Sequence, residues 1–192
     1  MHVPVKCALA AATSALAALV TAGGAARAED VDTRFMLAGG LLVPTVLQVD
    51  GELVSADPGP LFLISFDRHL SEDSALDWGG FLDVGSFSAG DSDEQVNLMQ
   101  VGASLHWRRP GTWGGLLRLG GRLGYRQLFA DARGFDAVRG VALDFSTQFV
   151  KPVGPNLTGQ IELGLLAQPV GGNANGLVYF GPFPYLALGV VF

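Results

Sequence analysis

From Thr33 to the last residue, apolar and polar side chains alternate with a period of two through one stretch after another. That is the spacing at which successive side chains of a β-strand point to opposite faces. The pattern is clearest in Leu116–Phe129, LLRLGGRLGYRQLF. Leu117, Leu119, Leu123 and Tyr125 share one parity there, and Arg118, Arg122 and Arg126 share the other. Arginines four apart would also line one side of a helix. Gly120, Gly121 and Gly124 argue against that, because each is about 1 kcal/mol less favourable in a helix than alanine. The stretch reads as a ribbon with one greasy face and one cationic face.

Seven more such ribbons predict eight strands in all. The first is about Thr33–Val46, with Phe35, Leu37 and Leu41 opposite Arg34, Ala38 and Gly40. The loop LQVDGELVSADPGP follows it. Leu61–Arg68 sets Phe62, Ile64 and Phe66 against Ser65 and Asp67, and HLSEDSA is read as a turn. Leu76–Phe87 sets Trp78, Leu82 and Val84 against Asp77, Asp83 and Gly85, before the acidic connection SAGDSDE. Val96–Trp107 sets Met99, Val101, Ala103, Leu105 and Trp107 against Gln100, Gly102, Ser104 and His106, and RRPGTW is read as a turn. After the arginine ribbon and ADARGFD, Ala137–Val150 sets Val141, Leu143, Phe145 and Phe149 against Gly140, Ala142, Asp144, Ser146 and Gln148. KPVGPN turns into Leu157–Ala167, with Ile161, Leu163 and Leu165 opposite Gln160, Glu162 and Gly164. The last ribbon, from about Val178 to Phe192, sets Leu186, Leu188, Val190 and Phe192 against Tyr185, Ala187, Gly189 and Val191.

Strands of this length cross a bilayer at a tilt, and an even number of them closes into an antiparallel up-and-down barrel. In such a transmembrane barrel the leucine faces meet lipid and the arginines look inward. A soluble exported barrel of lipocalin type, holding an apolar ligand, requires the reverse. The connections after the first and seventh strands read as long and those at the opposite end as compact. Short turns belong on the periplasmic side, which places both termini there. Trp78 and Trp107 then fall at the periplasmic edge and Tyr125 near the outer edge, where aromatic side chains sit at headgroup level.

Residues 1–28 change the picture by adding a route of export. Lys6, an apolar run from Cys7 to Ala22 and the small-x-small site Ala26-Arg27-Ala28 read as a secretory signal peptide, leaving 29–192 as one barrel domain. Cleavage removes Lys6, Arg27 and the one cysteine. The remaining 164 residues carry ten basic and 18 acidic side chains, a formal charge of −8. A thiol-free chain excludes disulfides, cysteine catalysis and thiolate metal sites. Its acidity argues against nucleic acid, and against anionic headgroups bound through a broad basic patch.

A signal peptide, a thiol-free mature chain and a final strand ending in Phe192 resemble the small eight-stranded outer-membrane β-barrels, such as the transmembrane domain of outer-membrane protein A. In that family a terminal aromatic, preceded by apolar residues at alternate positions, is read by the barrel-assembly machinery. The resemblance gives that role to Leu186, Leu188, Val190 and Phe192, although many members carry an aromatic where Val190 stands. It implies a monomeric, porin-like protein of the Gram-negative cell envelope, in contact with outer-membrane lipid and lipopolysaccharide.

The candidate chemistry lies on the polar faces. Arg34, Arg118, Arg122 and Arg126 would share a closed interior with Asp67, Asp77, Asp83, Asp144 and Glu162, with His106 beside them. Four cations against five anions predict an ion-pair network plugging the lumen, because an eight-stranded interior is just wide enough for side chains to fill. A narrow polar path or small-anion site on the arginine ladder is the sharper alternative. Catalysis would need a nucleophile with a base in reach. His69-Leu70-Ser71-Glu72 is like the His-x-Ser pair of lipid A deacylases but falls in a periplasmic turn, and Ser104-Leu105-His106 has the reverse order and points inward. No catalytic residue, cofactor or metal site is expected. The acidic outer connections (Asp50, Glu52, Asp57, Asp91, Asp93, Glu94, Asp131 and Asp136 against Arg133) suit weak contact with divalent cations bridging to lipopolysaccharide.

Overall fold

A computed structural model describes residues 33–49, 51–71, 73–89, 94–111, 114–130, 137–155, 157–173 and 176–192. The signal peptide expected over 1–28 lies outside the described residues, as do Asp50, Asp91, Asp93, Asp131, Arg133 and Asp136. Eleven strands follow in order: β1 (Thr33–Leu42), β2 (Val46–Val49), β3 (Glu52–Val54), β4 (Ala56–Asp57), β5 (Gly59–His69), β6 (Leu76–Ala89), β7 (Glu94–Pro110), β8 (Leu116–Ala130), β9 (Val138–Gly154), β10 (Leu157–Gly172) and β11 (Val178–Val191). Eight are the staves of an antiparallel up-and-down barrel, in the order β1-β5-β6-β7-β8-β9-β10-β11. β1 closes it by pairing with β11, from Met36 opposite Val191 to Leu42 opposite Tyr185. Phe35 and Phe192 extend that seam with reciprocal backbone hydrogen bonds of 3.2 and 2.9 Å.

The short strands lie in the first connection, read from sequence as a loop throughout. β2 continues the line of β1 along β11, with Val46 to Val49 opposite Gly181 to Val178. β3 folds back on β2, Glu52 opposite Val49, through an Asp-Gly pair, the sequence that two-residue hairpin turns favour. Gly51 sits at φ 89°, a left-handed conformation that glycine reaches without steric penalty. β4 then pairs with the end of β6 and leads into β5. The connection after the seventh stave is not long either. β10 runs on to Gly172 past register shifts around Ala167, so only 173–177 separate it from β11.

The alternation sorts the side chains as a wall with two faces. Arg118, Arg122 and Arg126 are buried inside, while Leu119 and Leu123 on the same strand are 38% and 61% exposed outside. A soluble apolar-ligand barrel needs the opposite arrangement. The interior is not polar throughout, however. The half nearer the termini holds the charges. In the other half Leu42, Leu61, Phe87, Leu98, Leu128, Val138, Leu166, Phe180 and Phe183 form a buried apolar cluster, with Phe180 and Phe183 both turned inward across a register shift in β11. Phe183 stacks on Phe180 at 4.6 Å and meets Phe87 edge-on at 5.7 Å.

Inward glycines admit the larger side chains. A Cβ at Gly120 would lie 2.1 Å from Cδ2 of His106 and 2.5 Å from the Leu105 carbonyl oxygen, and one at Gly164 would lie 2.3 Å from Cζ of Tyr185. At outward-facing Gly121 the nearest atom would be 3.6 Å away. Gly120→Ala is therefore expected to lose about 1–3 kcal/mol of stability by overpacking. Gly121→Ala should stay within about 0.5 kcal/mol of the parent, as a surface change does. Urea unfolding of the two variants, refolded side by side, checks the contrast.

Candidate functional site

The inward charges form a ladder along the axis. At the mouth carrying the termini, Asp77 of β6 is the common partner of four groups. Arg34 of β1 comes within 3.6 Å of it, Arg108 of β7 within 3.5 Å and Arg118 of β8 within 3.1 Å. His69 at the end of β5 brings Nδ1 within 2.5 Å of Oδ1. Arg108 also contacts His69 Nε2 at 2.8 Å and donates to the Ser74 carbonyl at 2.9 Å. Arginine can only donate, so Nε2 accepts and the ring proton resides on Nδ1, facing Asp77. Both imidazole nitrogens are thereby engaged.

One level in, Arg118 reaches Asp67 of β5 at 2.7 Å and the Gln148 side chain of β9 at 2.5 Å. Ser104 donates to the other oxygen of Asp67 at 2.8 Å, not to His106. His106 is fully buried, with Nδ1 3.8 Å from Asp67. Next, Arg122 lies between Asp83 of β6, at 3.2 Å, and Glu162 of β10, at 2.7 Å. Glu162 also accepts the Tyr185 hydroxyl and the Gln160 amide, each at 2.8 Å. Phe81 packs beneath this guanidinium, its centroid 5.4 Å away.

Arg126 forms the last level. It donates to Asp144 at 2.8 Å, to Gln100 through Nε (2.6 Å) and Nη2, and to the Ala167 carbonyl at 2.7 Å. That carbonyl belongs to the irregular part of β10, so Arg126 supplies a donor where the sheet ladder is broken. Gln100 ties two levels together, donating to Asp83 at 2.6 Å and to Asp144 at 2.7 Å. Phe180, 4.6 Å from the Arg126 guanidinium, begins the apolar half.

The structure thus brings together all ten residues that sequence assigned to the lumen, and adds two more. Arg108 and His69 fall in segments with the composition of turns, yet β7 extends through Pro110 and β5 through His69. Continuing each strand's parity by one step, from His106 to 108 and from Asp67 to 69, would have found them; the Arg-Arg-Pro-Gly composition concealed it. With Arg108 the described interior holds five arginines and five carboxylates in mutual ion pairs, instead of four against five. Leu186 and Leu188 are exposed on the outer wall of β11, and Val190 and Phe192 are half-buried there. Of the acidic connections, Glu52 and Asp57 are exposed at the mouth away from the termini. No group of three or more metal-ligating side chains occurs among the described residues.

No protein-family model matches the chain, and no curated protein matches it in sequence. In fold it is similar to Neisserial surface protein A, NspA, with a TM-score of 0.58 and 16% identity over 83% of this chain and 94% of that one. It is similar also to the outer membrane protein OprG from Pseudomonas aeruginosa, with a TM-score of 0.55 and 11% identity over 83% and 95% of the two chains. The outer membrane protein AlkL gives a TM-score of 0.51 and 14% identity over 88% and 94%. The shared feature is architecture: this chain has the fold of the small eight-stranded outer-membrane barrels.

Removing one member of a buried ion pair strands its partner. Arg122→Met is therefore expected to destabilise the barrel by about 3–5 kcal/mol, because it leaves both Asp83 and Glu162 without their guanidinium. Adding Asp83→Asn and Glu162→Gln to Arg122→Met should return most of that loss. Urea titration of the single and triple variants measures both steps.

Proposed function

We propose that this protein is an integral β-barrel of the bacterial outer membrane, non-enzymatic and sealed along its axis. It acts as a structural element of the envelope or through the connections at the mouth away from the termini. The observation that carries this reading is the orientation of the wall. Phe66, Trp78, Val101, Leu105, Leu123, Phe145, Leu163 and Leu188 all project outward with large exposed areas. Monomeric soluble proteins rarely show a contiguous apolar surface beyond a few hundred Å². Hydrocarbon is the surroundings in which such a wall is stable, and a closed barrel is one of the two backbone arrangements that satisfy their polar groups there.

Against catalysis stands the engagement of both His69 nitrogens by Asp77 and Arg108 and of the Ser104 hydroxyl by Asp67. Against axial passage stand the neutralised charge ladder and the apolar cluster stacked on it. On this reading the partners are outer-membrane lipid, lipopolysaccharide at the outer mouth, and the assembly machinery that engages Leu186, Leu188, Val190 and Phe192. The protein works as a monomer.

In fractionated cells the protein is expected in outer membranes, resistant to urea extraction, with a gel mobility that changes on heating. Recovery in the soluble periplasmic fraction would overturn the assignment. In planar bilayers the parent should carry no steady current. Arg122→Ala should stay silent as well, because the apolar half closes the axis independently; a current from either protein would refute the seal.

A further inference from the structure

The four described cations outside the lumen are unevenly placed: three lie at one rim. Arg68 ends the outward row of β5 after Phe66, Arg109 ends that of β7 after Trp107, and Lys151 continues that of β9 after Phe149; all three are exposed. Arg139 is at the other end. Arg68 stands opposite Trp78 in the β5–β6 register, and Trp107 lies diagonally beyond it, because Trp78 faces Leu105 and Trp107 faces Leu76. The Arg109 guanidinium is 6.0 Å from the centre of the Trp107 ring. The outer wall of β5, β6 and β7 thus ends in a row of two tryptophans and two arginines, with the lysine one stave past β8. None of the three cations has a carboxylate partner among the described residues. The exposed side-chain anion described near this mouth is Asp73, whereas Glu52 and Asp57 lie at the opposite one.

We infer that this rim binds the headgroups of anionic phospholipids in the leaflet facing the termini. The inference rests on the membrane reading above. Tryptophan rings settle at headgroup depth, and a guanidinium or ammonium just beyond them meets the phosphates. An overall charge of −8 argues against a broad basic patch, and because five cations and five carboxylates pair inside the barrel, that charge lies outside the lumen. The case for this rim is therefore local: three exposed cations gather at one end of the wall, while Glu52 and Asp57 lie at the other. The occupant is a phospholipid phosphate with unneutralised negative charge, since a zwitterionic headgroup would answer the same three cations with a cation of its own.

The test uses the full mature chain refolded into phosphatidylcholine vesicles containing brominated phosphatidylglycerol or brominated phosphatidylcholine, which quench tryptophan on contact. Quenching at Trp78 and Trp107, read in a chain whose third tryptophan is removed by Trp113→Phe, should favour phosphatidylglycerol at least about threefold at low salt and lose that preference as salt rises. A chain carrying Arg68→Gln, Arg109→Gln and Lys151→Gln, all outside the lumen, should quench equally with both lipids while keeping its heat-modifiable mobility. Equal quenching of the parent by the two lipids overturns the inference and leaves the membrane assignment standing. So does a preference that survives all three substitutions. Failure of the parent to insert into either vesicle overturns both.

Discussion

An arginine turned into a closed barrel has no water to return to, so each one requires a carboxylate at a matching height. That requirement governs the rest of this structure. Arg122 stands opposite Asp144 in the β8–β9 register and Arg118 opposite Gln148, and across the lumen they reach Asp83, Glu162, Asp67 and Asp77. A slip of one residue in any stave would turn its whole inward set to the outside. The charges would then stand among the leucines of the outer wall and leave unpaired partners behind. Buried ion pairs contribute little net stability relative to an apolar core of the same shape. In this barrel their contribution is to exclude the wrong registers and so to fix how the staves close.

The same requirement explains what could be read from sequence. A two-residue period with arginine on one face and leucine on the other has only two consistent placements in a closed sheet, and the wealth of apolar residues chose between them. The eight staves, their order and the ten lumenal residues follow from that choice. Arg108 escaped because Pro110 and Gly111 suggest that β7 ends sooner than it does, and His69 because the polar run HLSEDSA has the composition of a turn. Proline removes a ladder donor only where its N–H would have pointed at a neighbour, so a strand can run up to one at its end. Across 47–60 the Asp50-Gly51 pair carried a hairpin signal, but the strands flanking it are too short to show alternation.

The apolar half of the lumen was hidden for a different reason. In Leu61-Phe62-Leu63-Ile64 both parities are apolar, whereas in Ile161-Glu162-Leu163-Gly164 the charged and small residues mark one parity as the inner one. Where both faces of a strand are apolar, alternation stops reporting which one is enclosed. Leu42, Leu98, Leu128 and Leu166 each continue an inward row whose members are mostly polar or small, and only the register shows that they converge at one height.

A lumen built in two parts has a physical logic. Each further ionic level needs a new set of donors and acceptors, and the levels present already leave Asp83 Oδ1, Arg122 Nε and both His106 nitrogens without a hydrogen-bond partner. Arg126 is where this barrel stops adding levels. Its guanidinium is taken up by Asp144, Gln100 and the carbonyl at the break in β10, and its face rests on Phe180. Beyond it, leucine and phenylalanine fill the space without needing partners. A hydrated ion moving along the axis would have to separate paired charges in one half and shed its water in the other, two unrelated barriers in series.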